Sequence, residues 1–400
     1  MAPKLPAHET LLIPWVRSAG PSPPEFPATP VTWEDLAEGA CRSGLAGIVL
    51  KNTAACRRDV PRSATEQLRA AAMTVAATNL NLLAEMRRLA RAFHQAGVPL
   101  MLLKGAALNL SLYDSPELRP MDDLDLLIRP QQVGVALEVL ERIGCRKGRG
   151  HIRDDFFPKY YYESEFLTGG RRPIRIDLHV RPFRPLRLAQ TMPDDALWHG
   201  ARRVLTGDAT ALIPKPELML LHLAGHAAFH GCSRLLWLLD IKRLVDAHGS
   251  ALDWAEIVAR ARQWHLSFPL LRAMTATQAA LGPACPIDVT RQLARLPVGW
   301  RDRLTLWEAP RDAGSPLAHV VVNLISTHGI RFPAGYLLAH LLPGCDHLAE
   351  MYPWRHPGWQ FCAHLWRVLR RPLKFVRAAA RSLWPLLTPC EHEARRWAAD

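Results

Sequence analysis

No stretch of the chain reaches about 18 uninterrupted apolar residues, the length a membrane-crossing helix requires, although 49% of its 400 residues are hydrophobic. The opening segment also lacks the basic-then-apolar order of a secretory leader and is rich in proline instead, at Pro14, Pro21, Pro23, Pro24, Pro27 and Pro30. Both absences predict a cytoplasmic protein. The eight cysteines, at positions 41, 56, 145, 232, 285, 345, 362 and 390, include no CxxC pair. That argues against a zinc ribbon or a disulfide framework and fits reduced thiols. There is no internal repeat, no low-complexity segment beyond the proline-rich lead, no RNA- or DNA-binding motif and no strand-borne aromatic stacking signature.

Basic charge, by contrast, is in excess. Lys and Arg outnumber Asp and Glu by 50 to 37, a formal charge of +13, which attracts polyanions such as nucleotides, nucleic acids or anionic lipid surfaces. Residues 359–384 concentrate it, with Arg367, Arg370, Arg371, Lys374, Arg377 and Arg381 among Trp366, Leu369, Leu373, Phe375 and Val376. The expected form is a helix with a solvated basic face, kinked at Pro372, that closes a C-terminal bundle; peripheral contact with an anionic membrane is the alternative.

Periodicity divides the chain in three. After the proline-rich lead, Thr32 caps a short helix over 33–45, with Glu34 and Asp35 against its positive end. Leu68, Ala72, Val75, Leu82, Leu83, Met86, Leu89 and Phe93 then mark an amphipathic helix over 63–95, closed by Gly97 and Pro99. From 98 to 190 the pattern is one of short elements: an apolar run over 99–103, a helix over 106–113, alternation over 122–128, a helix over 131–143, and alternating strands over 160–167 and 174–180. This predicts an α+β core, a small mixed sheet of about four or five strands with helices on one face. Residues 191–400 form a helical C-terminal domain, with helices over 215–230, 235–247, 254–264 and 269–281.

Aspartate is disfavoured inside strands, so Asp123-Leu124-Asp125 needs an explanation. Period two puts both acids on one face and Leu124, Leu126 and Ile128 on the other, and a divalent cation would relieve the repulsion between the acids. In the later strand, Ile174, Ile176, Leu178 and Val180 make a buried face and Arg175, Asp177 and His179 an open one. If the two strands are neighbours, a third carboxylate joins the first two. Three converging carboxylates suit magnesium; solvated strand-face acids are the plainer alternative.

The runs Leu103-Lys104-Gly105-Ala106-Ala107-Leu108, Arg119-Pro120-Met121-Asp122-Asp123-Leu124-Asp125-Leu126-Leu127-Ile128 and Ile176-Asp177-Leu178-His179, with Tyr113 between the first two, resemble the uncharacterised nucleotidyltransferase family of bacteria, within the polymerase-beta-like superfamily. The likeness continues through Pro216-Glu217-Leu218, His222, His226, His230, the run from Arg234 to Ile241, and Leu252-Asp253-Trp254, and covers roughly residues 65 to 380. It implies magnesium- or manganese-dependent transfer of a nucleoside monophosphate from a nucleoside triphosphate to an acceptor. Nothing in the sequence identifies that acceptor: a small metabolite, a sugar, a peptide product, a protein side chain and an RNA end all remain open. The resemblance also implies that Asp123 and Asp125 bind both metals, and that Asp177 binds one and helps activate the attacking hydroxyl. The superfamily's Gly-Ser turn is Gly105-Ala106 here, Val180 stands where the family often has Trp, and Asp122 where it often has a small residue.

Gly105 and Ala106, at a strand-to-helix junction, can cradle phosphates on free backbone N–H groups, or simply form a tight turn. Lys104 and Arg119 can neutralise the triphosphate or pair with an acid of the triad. His179 can orient Asp177 or be solvated. His222, His226 and His230 share one helical stripe, a spacing that can chelate zinc; polar packing is favoured because no carboxylate or thiolate lies at a ligand spacing in that helix. The competing function is a catalytically silent nucleotide-binding or regulatory module of the same fold.

Overall fold

The computed structural model describes residues 5–17, 32–55, 60–148, 157–308, 316–327 and 331–341; the basic stretch at 359–384 lies outside them. The Thr32 hydroxyl accepts from the Asp35 amide at 3.1 Å and the Asp35 carboxylate accepts from the Thr32 amide at 3.0 Å. This reciprocal cap opens α1 (Trp33–Ser43), and Gly44, at φ 71°, ends it. α1 and α2 (Ala46–Ala55) both lie along α3 (Arg62–Gln95), which buries Leu68, Ala72, Leu82, Met86, Leu89 and Phe93 as its periodicity predicts.

One seven-stranded mixed sheet follows, built from β1 (Met101–Leu102), β2 (Leu124–Leu127), β3 (Arg146–Lys147), β4 (Glu163–Leu167), β5 (Arg175–His179), β6 (Arg202–Thr206) and β7 (Ala209–Ile213), in the order β3-β4-β5-β2-β1-β7-β6. It is larger than the four or five strands expected. The β6–β7 hairpin lies past residue 190, where the sequence reads as helical. β6 is an edge strand whose Leu205 is 79% exposed, so it carries no alternating apolar signal, and β3 spans two exposed residues. The hairpin still belongs to the sheet because β7 runs parallel to β1, Met101 facing Leu212, under the long α3.

β2 is central, antiparallel to β1 and parallel to β5. A parallel pair requires a crossover, which here contains α5 (Val133–Arg142), β3 and β4. α4 (Lys104–Ser111) leaves β1 directly and packs on β2. Beyond the sheet come α6 (Pro216–Phe229), α7 (Leu235–His248), α8 (Trp254–Gln263) and α9 (Ser267–Leu281). α6 is apolar on nearly every side, as a helix surrounded by others must be, and its core is continuous with that of the sheet. No helix among the described residues is long and apolar enough to cross a membrane.

A buried asparagine holds the loop that feeds β2. Asn79 of α3 is fully buried and donates to the Pro116 carbonyl at 2.6 Å and the Arg119 carbonyl at 2.8 Å, while its own Oδ1 accepts from the Met121 amide at 3.0 Å. Loss of these bonds leaves the buried Met121 amide without its acceptor and releases the Pro116 carbonyl, while the Arg119 carbonyl keeps the Asn109 side-chain amide at 3.1 Å. Asn79→Ala is expected to lower stability by about 2–4 kcal/mol, read from the urea midpoint at unchanged slope.

Candidate active site

The β2–β5 register decides the site. Leu124 faces Ile176, Asp125 faces Asp177 and Leu127 faces His179, so Asp125 and Asp177 stand side by side on one face while Leu124, Leu126, Ile176 and Leu178 turn to the other. Asp123 sits just before β2 and is tied to β5 by a hydrogen bond from Arg175 Nη2 to its Oδ2. The antiparallel β4 then sets Glu163 opposite His179 and Glu165 opposite Asp177. Strand alternation identifies the acidic face; only the strand order shows that Glu163 joins it.

Internal cations offset this charge. Lys104 Nζ lies 2.6 Å from Asp125 Oδ1, and His179 Nε2 lies 2.9 Å from the same oxygen and 3.5 Å from Glu163 Oε2. Arg175 Nε is 3.8 Å from Asp177 Oδ1. The Tyr162 hydroxyl donates to Glu163, and its ring centroid lies 5.7 Å from that of His179. The face is not the open one expected from alternation. The Asp125 side chain is 4% exposed and that of His179 0%, whereas Asp177 keeps 16% and Asp123 23%. His179 is therefore a buried partner of Asp125 and not a solvated residue, because period two assigns a face without saying what later packs over it.

The acids divide accordingly. Burial alone would raise Asp125, but the Lys104 ammonium and the His179 hydrogen bond outweigh it and hold its carboxyl well below the usual range. Asp123 is raised, by burial and by Asp125, against the pull of Arg175. Asp177 is pushed up to about 7, first by burial and then by Glu163, Asp123 and Asp125. Burial pulls Lys104 down, yet Asp125 and Glu163 outweigh it and raise it.

Of the proposed phosphate-binding residues, Lys104 reaches the acids. It opens α4 in the left-handed region, at φ 42°, a conformation costly for a side chain with a Cβ. Gly105 and Ala106 follow it in the first turn and are buried. A Cβ on Gly105 would stand 2.4 Å from Arg119 Nη1 and 2.8 Å from Met121 Cγ, so glycine is required there for close packing. Arg119 turns away from the triad. It is 7% exposed and pairs with Asp240 of α7 at 2.9 Å, and the Tyr113 hydroxyl donates to that carboxylate at 2.7 Å. Sequence reading left Glu163, Tyr162 and Asp240 unassigned and gave Arg175 no role: Glu163, Asp240 and Arg175 acquire one only from partners distant in the chain, and Tyr162 only through the adjacent Glu163.

The histidine stripe of α6 approaches the same region. Burial, Lys104 and His179 lower His222 to about 3, and its ring packs 5.4 Å from that of Phe183. His226 and His230 pack at a tilt with ring centroids 4.6 Å apart, each about 5 Å from Trp237. Among the described residues no group of three His, Cys, Asp or Glu side chains is arranged to hold a metal ion. The stripe packs on aromatic rings, and the strand acids point to Lys104, His179 and Arg175. The donor chemistry of the acidic face nonetheless suits a hard divalent cation: carboxylate oxygens on adjacent strands, with two of the acids raised by burial and by one another's charge.

The chain thus has an α+β fold with three aspartates gathered on neighbouring strands of its sheet. Residues 29–282 match the model of the family described as "Uncharacterised nucleotidyltransferase", and the chain belongs to that family. Membership supports nucleotidyl transfer as its general kind of activity. Comparison with curated proteins gives no match. Among solved structures, an antigenic nucleotidyltransferase-like protein from Paracoccidioides brasiliensis is similar at 15% identity, over 50% of this chain and 93% of that one, with a TM-score of 0.30.

The raised Asp177 has a consequence for stability. Between its ordinary value of 3.8 and its folded value of about 7, the folded protein keeps a proton that the unfolded chain has released. Its unfavourable contribution therefore grows as pH rises through that window and is absent below it. In chelator, Asp177→Asn is expected to be about 1–3 kcal/mol more stable than the parent at pH 8. Melting temperatures of both proteins from pH 4 to pH 8 check this, the difference closing as pH falls; a constant difference contradicts it.

Proposed function

We propose that the protein transfers a nucleoside monophosphate from a nucleoside triphosphate to an acceptor hydroxyl and releases pyrophosphate. What supports this reading above all is the parallel register that sets Asp125 against Asp177, with Asp123 tied to the same pair of strands, in a chain of the nucleotidyltransferase family.

In the reaction the acceptor oxygen bonds to the α-phosphorus, the bond to the β-phosphate bridging oxygen breaks, and pyrophosphate leaves. Asp123, Asp125 and Asp177 would hold divalent cations, magnesium or manganese, which supply Lewis-acid charge at the phosphate oxygens. Asp177, the least neutralised of the three, is the group suited to take up the acceptor's proton. Lys104, fixed by Asp125, holds positive charge where the triphosphate meets the start of α4. Tyr162 and His179 orient Glu163 and Asp125 without touching substrate. The acceptor, a hydroxyl of a small molecule, a peptide, a protein or an RNA end, is received beside the more exposed acids.

One observation favours the silent module. Asp125 is already paired with Lys104 and His179 and is almost fully buried, so nucleotide can bind near Lys104 without the acids turning over. Incubation with each α-labelled triphosphate, magnesium and a cell extract separates the two readings. The transferase forms a labelled product that is lost in Asp123→Asn and Asp125→Asn by at least about a hundredfold. Asp177→Asn is expected to bind triphosphate within about threefold of the parent while its turnover collapses. Nucleotide binding with no product from any extract, or turnover unchanged in Asp123→Asn, supports the module instead.

A further inference from the structure

The two cations on the acidic face are held differently. The Lys104 side chain is 18% exposed and its ammonium lies against the buried Asp125. Arg175 is 44% exposed and its guanidinium spans the two outer acids, with Nη2 on Asp123 and Nε 3.8 Å from Asp177. The β2–β5 register explains the span: Leu124 faces Ile176, so Arg175 stands beside Asp123 and one strand period from Asp177. A lysine in the core cannot leave without stranding a buried carboxylate. An arginine with 44% of its side chain exposed can leave, because exposed ion pairs are weak and its stem is long.

We infer that Arg175 is an exchangeable counter-ion. In the free protein it neutralises Asp123 and Asp177. When a nucleotide arrives with its divalent cation, the cation takes those carboxylates and the displaced guanidinium takes phosphate oxygens, for which its planar fork is suited. No covalent bond changes; one set of ion pairs replaces another. The exchange explains why acids that suit a cation point instead to internal partners, and it couples metal binding to nucleotide binding, since neither ligand alone both removes and re-pairs the arginine. This inference rests on the metal-binding reading proposed above.

Binding of Mn2+ tests it without turnover, by the electron paramagnetic resonance signal of the free ion, with and without a non-hydrolysable α,β-methylene triphosphate. Arg175→Gln is expected to bind Mn2+ alone about two- to fivefold more tightly than the parent, the worth of a partly exposed ion pair, and to bind the analogue several-fold more weakly. Arg175→Lys, which keeps the charge but not the fork, is expected to hold Mn2+ as the parent does while still losing affinity for the analogue. Arg175→Gln with parent-like Mn2+ affinity overturns the counter-ion role and leaves the metal reading standing. Parent-like affinity of both variants for the analogue overturns the phosphate role. No Mn2+ bound by the parent, with or without analogue, overturns the metal reading and this inference together.

Discussion

Everything at the site follows from the parallel pairing of β2 with β5. That register sets Asp125 against Asp177 and draws Asp123 and Arg175 together at the strand ends. A shift by one residue would turn the acids into the core and Leu124 and Leu126 toward the site, an arrangement that burial forbids. The register is thus enforced by the apolar face, where Leu124, Leu126, Ile176 and Leu178 are fully buried. The chemistry on the other face is carried by that packing.

Crowding acids in this way creates an electrostatic cost that neighbouring elements offset. Lys104 meets Asp125 from the start of α4, in a left-handed conformation that few residues adopt. His179 binds the same oxygen from β5. A second buried network, Arg119 with Asp240 and Tyr113, ties the turn before β2 to α7, and the bare backbone of Gly105 leaves room for that arginine. The helical half is therefore joined to the sheet by buried charge as well as by hydrophobic contact, and such joints are rigid because breaking either partner strands the other.

The result is a graded set of acids. Asp125 is closed, fully charged and doubly partnered, whereas Asp123 and Asp177 are more exposed and less neutralised. One end of the site is built to hold charge in place and the other to receive it. That asymmetry suits the positioning chemistry of phosphoryl transfer, in which fixed charge aligns the triphosphate and a group able to bind a proton faces the acceptor.

The sequence by itself determined the α+β class, the three aspartates, the long helix α3 and its cap-bounded predecessor, because hydrophobic period and capping residues are local signals that survive without tertiary contacts. It also brought Lys104 and Gly105 to the junction of β1 and α4. It did not reveal β3 or the β6–β7 hairpin: β3 and β6 are mostly exposed, and β7 alternates over five residues only, two of its three inward positions being alanine. Nor did it show that the acidic face is covered, that Arg119 belongs to Asp240, or that Glu163 and Arg175 join the aspartates. Those facts depend on strand order and on what packs over a face. Both are set by contacts between residues tens of positions apart, and local periodicity holds no record of them.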